Sequence, residues 1–277
     1  MSTAAITLPA ARPSSLARNL RIFLTETHYE FVRLLRTRAF SLAVIGFPVV
    51  FYLFFGLIMN RGEHIGNVSV AKYMLAGYAV FGMVGAALFG IGGGLANELS
   101  TGWLELKRAS PMPPLAYLLA KCCTAIAFGV IIVCILSLLG VTLGHVQLSL
   151  ADFARMIGLT IVGCVPFACM GLALGLVVPF NSAPGVTNLL YLPMSFLGGL
   201  WVPLSILPTA IQKIAPAFPT YHLGQLMLGI FDRTAANPRG YADPAHTVLS
   251  HWIGLAAFTM IMLGIAAIAF NRREQNA

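Results

Sequence analysis

Six long apolar runs alternate with short polar connectors along this chain, over approximately residues 39–59, 73–96, 122–144, 156–180, 186–207 and 252–270. A helix rises about 1.5 Å per residue and the hydrocarbon core of a bilayer is about 30 Å thick, so about 20 apolar residues make one crossing. The pattern therefore predicts an all-α membrane protein, with six transmembrane helices occupying residues 39–270. Between the second and third runs stands one polar island, residues 97–121, reading NELSTGWLELKRASPMPPLAYLLAK. It holds an acidic pair, Glu98 and Glu105, a tryptophan, Trp103, a basic pair, Lys107 and Arg108, and then Pro111, Pro113 and Pro114. A loop that only reverses the chain between two helices needs a few turn residues, so a charged, helix-sized insert ended by prolines points to a partner.

Ahead of the first run, Leu16, Leu20, Phe23, Thr27, Phe31, Leu34 and Leu35 recur at helical spacing, with Arg18, Glu26, Glu30, Arg33 and Arg36 on much of the other side. This reads as an amphipathic interfacial helix over 16–38, its arginines facing anionic headgroups of membrane lipids, the alternative being a short soluble helix that docks on another surface. Residues 1–15 read as a flexible N-terminus without the apolar core of a signal peptide, and 271–277 as a cytoplasmic tail.

Basic residues are retained on the cytoplasmic side of a membrane, which sets the orientation. With both termini inside, Arg12, Arg18, Arg21, Arg33, Arg36, Arg38, Lys107, Arg108, Lys121, Arg272 and Arg273 are internal. Arg61, Lys72, Arg155, Lys213, Arg233 and Arg239 are external, a bias of eleven to six. The polar island, with a coupling segment at 97–114, then lies in the cytoplasm.

Within the second run Gly82, Ala86, Gly90 and Gly94 repeat every four residues and form a small-residue ridge for helix or dimer packing. Gly171 and Gly175 repeat the theme more weakly in the fourth run. The external stretch 205–231 is too apolar for an ordinary loop, and its eleven-residue run 221–231 is too short to cross. With Pro208, Pro216 and Pro219 as joints, it reads as short re-entrant helices. Residues 232–247 read as exposed loop.

Composition supports the membrane class: of 277 residues 58% are hydrophobic and 9% charged, and mean hydropathy is +0.84. The net charge of +8 sits at the edges of apolar runs, as a topology signal, and not in a stripe for nucleic acid. Cys122, Cys123, Cys134, Cys164 and Cys169 all lie in apolar stretches and read as packing residues, and the six histidines are dispersed, so no metal site is expected. No P-loop, HExxH or GxSxG occurs, so the chain is not expected to be an enzyme or to bind a cofactor. Span interiors nearly free of charge argue against an ion-coupled carrier and for an external source of energy. Mild polarity on the fifth run, Asn188, Tyr191 and Ser195, either borders a translocation path or hydrogen-bonds a neighbouring helix.

Two stretches resemble the ABC-2 family of export permeases: ELSTGWLELKRASP, residues 98–111, and GLWVPLSILPTAIQKIAPAFPTY, residues 199–221. The number and order of spans are similar too, although the Arg that many members carry after the Pro-x-Tyr element is missing from 225–230. The resemblance implies a six-helix permease subunit, joined by a second permease copy and by two separate ABC ATPase subunits that use ATP and Mg. It further implies that Glu98, Gly102, Trp103, Glu105, Lys107, Arg108 and Pro111 belong to a cytoplasmic coupling helix, and that the second and fifth spans face the dimer axis. The function expected is ATP-driven export of an amphipathic drug, lipid-like molecule or glycan across the inner (plasma) membrane. The alternatives are an ion-coupled secondary carrier and a membrane-embedded lipid-binding or lipid-modifying protein.

Overall fold

The computed structural model describes residues 16–59, 62–65, 68–109, 114–231 and 247–275. The flexible N-terminus expected over 1–15, the loop at 232–246 and Pro111 fall outside that set. The described chain is almost entirely helical. Helix α1, Leu16–Arg36, is separated by Thr37 alone from α2, Arg38–Phe51, which continues as a π-helical turn over Tyr52–Ile58. The junction is held by side chains that add hydrogen bonds to carbonyls at the end of α1: Thr37 Oγ1 donates to Arg33 O at 2.9 Å, and Ser41 Oγ donates to Leu34 O at 2.8 Å. A two-residue antiparallel hairpin pairs His64–Ile65 with Val68–Ser69, a small addition to the all-α expectation.

Helix α3, Val70–Ala87, runs through a π turn, Leu88–Gly93, into α4, Gly94–Ser100, and α5 is Trp103–Ala109. Helices α6, Pro114–Thr142, and α7, Leu150–Val177, are long, whereas α8, Ala183–Leu197, has only 15 residues. The short helices α9, Thr209–Ile214, and α10, Pro219–Leu228, precede α11, Val248–Gln275. Pro208 sits just before α9 and Pro219 begins α10, where a missing N–H costs nothing.

Five helical stretches among the described residues are long and apolar enough to cross a membrane: Arg38–Ile58, Val70–Ser100, Ala116–Thr142, Leu150–Val177 and Val248–Arg273. The fifth expected run, 186–207, differs. Its helix ends at Leu197, because Gly198 turns and Gly199 takes φ +76°, a left-handed conformation that a side chain disfavours. Fifteen residues reach only about 22 Å at 1.5 Å each, short of a bilayer core. Helix α10, at ten residues, is shorter still and largely buried.

The second span is the axis of the molecule. Of the apolar window in Val70–Ser100, 94% is buried inside the chain, against 28% for Arg38–Ile58 and 11% for Val248–Arg273. Helices α2, α6, α7, α8 and α10 pack around it. Of the two roles expected for its small-residue ridge, helix or dimer packing, the contacts present within one chain are helix packing. Gly82 lies against Ile132 and Pro48, Gly90 faces Phe40 and Leu34, and Ala86 is buried. A close backbone contact between helices brings Gly92 against Gly171 and Gly175, where a Cβ at Gly175 would stand 2.8 Å from Gly92 O.

Candidate functional site

At one end of the central helix the polar island folds as helix, turn and helix. Thr101 N donates to Asn97 O at 3.0 Å and closes α4, and Ser100 and Thr101 hydroxyls donate to the same carbonyl at 2.9 Å. Gly102, with φ +70°, reverses the chain into α5. Within α5 the faces divide. Leu104 is buried against Leu95, Tyr117, Leu176 and Ala266, while Trp103 and Leu106 are 51% and 63% exposed and Glu105 is exposed beside them. Lys107, one turn after Leu104, also points inward. Arg108 belongs to α5, but its side chain is outside the described set.

Behind this segment lies a buried charge cluster joining four helices. Glu98 of α4, 1% exposed, receives a hydrogen bond from the Tyr117 hydroxyl at 2.5 Å and pairs with Lys121 Nζ at 3.0 Å, both from α6. Arg33 of α1 reaches the same carboxylate at 3.1 Å. Glu30 of α1, 5% exposed, pairs with Lys121 and with Arg33, each at 2.7 Å. Glu26, one turn earlier, holds Lys107 of α5 at 2.7 Å, and Lys107 stands 3.8 Å from Glu98 and 4.7 Å from the centre of the Tyr117 ring. Three acids thus face three bases, so the cluster is neutral as a whole. Buried ions are tolerated only when paired and hydrogen-bonded, and here the acids of α1 and α4 are met by bases from α1, α5 and α6.

Glycine makes the approach possible. A Cβ at Gly94 would lie 3.4 Å from Lys121 Nζ, 3.6 Å from an Arg33 nitrogen and 3.9 Å from Glu30 Oε1. Gly94, expected only as a helix-packing residue, is the floor on which the ions meet. The aromatic pair Phe31 and Phe128, 5.3 Å between ring centres, ties α1 to α6 just beyond the charges.

The sequence grouped Glu98 with Glu105 on one partner-facing surface. Their side chains part company: Glu105 is exposed, and Glu98 is an internal anchor because its oxygens are occupied by Tyr117, Lys121 and Arg33. A second correction concerns α1, whose acids were expected on the lipid-facing polar side. Glu26 and Glu30 turn inward, drawn by lysines that no local spacing reveals. Tyr117 and Lys121 were not foreseen as members of the site. The available signal was a lysine just inside an apolar run and two acids one turn apart on a helix otherwise rich in arginine.

The residues assigned to a translocation path also separate. Asn188 is exposed. Tyr191 is buried, donates its hydroxyl to Phe81 O at 2.7 Å and stacks on the Phe81 ring at 4.6 Å. Ser195 is fully buried, its hydroxyl without a partner among the described residues. For Tyr191, bonding to a neighbouring helix is therefore the geometry present.

A family model for ABC-2 type transporters matches residues 22–231, which includes the whole charge cluster and the segment through α10. The chain belongs to the ABC-2 type transporter family. A relative from Bacillus subtilis (strain 168), named "Putative transport permease YvfS", is 30% identical over 196 residues, covering 70% of this chain and 79% of the relative. As an ABC-2 protein with several membrane-crossing helices, the chain is a multi-pass membrane transport permease, a transporter and not an enzyme. Membership also implies partnership with ATP-binding subunits.

Proposed function

We propose that this ABC-2 permease is the membrane subunit of an ATP-driven exporter, and that α4, the Gly102 turn and α5 couple it to a separate ATPase. The observation that carries this reading is the tether between α5 and α1. Lys107 is gripped by Glu26 at 2.7 Å while Glu98 and Lys121 bind α4 to α6, so a push on α5 cannot be absorbed by the turn. It displaces α1 and α6 together. Trp103, Glu105 and Leu106 form the outward face that an ATPase groove receives, an apolar anchor with an acidic neighbour. Arg108 and Pro111 complete the segment.

Two copies of the chain and two ATPase subunits, with ATP and Mg held by the latter, make the working complex in this reading. The chain sits in the inner (plasma) membrane with both termini cytoplasmic, and α8 completes a six-helix subunit as a short fifth element. The cargo is amphipathic: a drug, a lipid-like molecule or a glycan. The test is co-purification of the ATPase together with ATP-dependent uptake into inverted vesicles. Trp103→Ala with Glu105→Lys should abolish both while the permease remains folded. Unchanged assembly and transport in that variant would sink the coupling role, and transport that follows an ion gradient without nucleotide would sink the exporter reading.

A further inference from the structure

We propose that a cavity at the end of the bundle away from α5 binds a small zwitterion with an apolar body: an anionic group and an ammonium carried on one molecule, as in a short peptide. The first and third membrane-crossing stretches finish at this cavity, and the second and fourth begin there. Its volume is about 430 Å³, within the range of about 300–1,000 Å³ usual for small-molecule sites. Close contacts shape it. Val70 N donates to Glu63 O at 3.0 Å and ties the start of α3 to the segment ahead of the hairpin. Gly144, just after α6, presses on the end of the first stretch, where a Cβ would lie 2.6 Å from Leu57 Cδ2. His145 then turns through a left-handed φ of +49°, and Val146 N donates to Gly140 O at 2.9 Å.

The lining divides by polarity. Leu57, Ala71 and Val146 are buried and apolar, whereas Glu63, His64 and His145 are exposed and Lys72 is half-buried. Glu63 and Lys72 bring fixed charges of opposite sign to that lining. Among the described residues neither takes part in an ion pair, so their charged atoms stand more than 4.0 Å apart and do not neutralise each other. An anion alone would be drawn to Lys72 and opposed by Glu63, and a cation alone would meet the reverse. A ligand with both charges satisfies both residues, and its apolar body covers Leu57, Ala71 and Val146. His64 and His145 add hydrogen-bonding nitrogens for the ligand's amide groups. An aminophospholipid headgroup offers the same two charges, so the shared chemistry is an anion and an ammonium on one molecule.

The probe is leucyl-leucine, titrated calorimetrically into the purified full-length permease in maltoside micelles. Beside it are run N-acetyl-leucyl-leucine, which lacks the ammonium, and leucyl-leucine amide, which lacks the carboxylate. The wild type should bind leucyl-leucine saturably and on the order of tenfold more tightly than either analogue. Glu63→Gln should bind leucyl-leucine no more tightly than the acetylated peptide, and should bind the acetylated peptide at least as well as the wild type does, which shows the cavity intact. Lys72→Gln should lose the distinction between leucyl-leucine and its amide in the same way. Absence of saturable binding by the wild type overturns the proposal and needs no variant. So does an acetylated peptide that binds the wild type as tightly as leucyl-leucine, or a variant that keeps the full preference. Repeating the titration in nanodiscs separates the two sources of the ligand. Binding lost in phosphatidylethanolamine and kept in phosphatidylglycerol gives the site to a headgroup, and equal binding in both gives it to a soluble zwitterion. No nucleotide or ATPase enters the measurement, so this site and the exporter reading fail separately.

Discussion

The Glu98 carboxylate and the Lys121 ammonium face each other at 3.0 Å across the α4–α6 boundary, both almost wholly removed from solvent. An ion pair so placed contributes little net stability over an apolar pair, but losing one member strands the other in a low-dielectric interior at about 3–5 kcal/mol. Glu98→Gln and Lys121→Met should each lower the thermal midpoint of the purified permease markedly. The double variant should lose less than the sum of the two, because the network is again neutral. Additive losses would show that the two groups are not energetically coupled.

The two sides of α5 should respond differently to truncation. Leu104→Ala removes a buried side chain and should cost about 2–5 kcal/mol, whereas Leu106→Ala, 63% exposed, should stay within about 0.5 kcal/mol. Thermal unfolding separates them, and co-purification of the ATPase should order them the other way, with Leu106→Ala the weaker binder.

Gly77 is held to its residue by backbone. A Cβ there would stand 2.1 Å from Leu200 O, at the loop where Tyr73 also donates to Gly199 O at 2.7 Å. A carbonyl cannot rotate away as a side chain can, so Gly77→Ala should abolish monodisperse elution on size exclusion. Gly46→Ala, with nothing within 4 Å of its Cβ, is the control and should be neutral or stabilising by up to about 1 kcal/mol.

Tyr191 separates a packing role from a path-lining one. Tyr191→Phe keeps the stack on Phe81 and loses one hydrogen bond, an expected cost of about 0.5–1.5 kcal/mol with cargo preference unchanged. A change of cargo preference at full stability would instead put the hydroxyl in contact with substrate.

Much of the fold was legible because its signals are local. Five of the six apolar runs correspond to helices long enough to cross, and the proline joints of 205–231 stand at or beside the ends of short helices. The length of α8 was not legible, since apolar residues continue past Leu197 and only the left-handed Gly199 and its contact with α3 end the helix. Gly82, Ala86, Gly90 and Gly94 were recognised as a close-packing ridge, yet spacing cannot say which helix a ridge meets. The partners proved to be Pro48, Phe40, Ile132 and the charges around Lys121, all within one chain.

The candidate site divides along the same line. The sequence by itself determined a multi-span membrane protein with a polar, Trp-bearing segment after its second span, because hydropathy and turn chemistry are written residue by residue. Only the tertiary structure decided that Glu98 faces inward and Glu105 outward, and that Glu26 and Glu30 leave the lipid side of α1. The reason is physical: a charge in a sparsely solvated interior goes where its counter-charge is, and those counter-charges lie 81 residues away for Glu26 and 91 for Glu30.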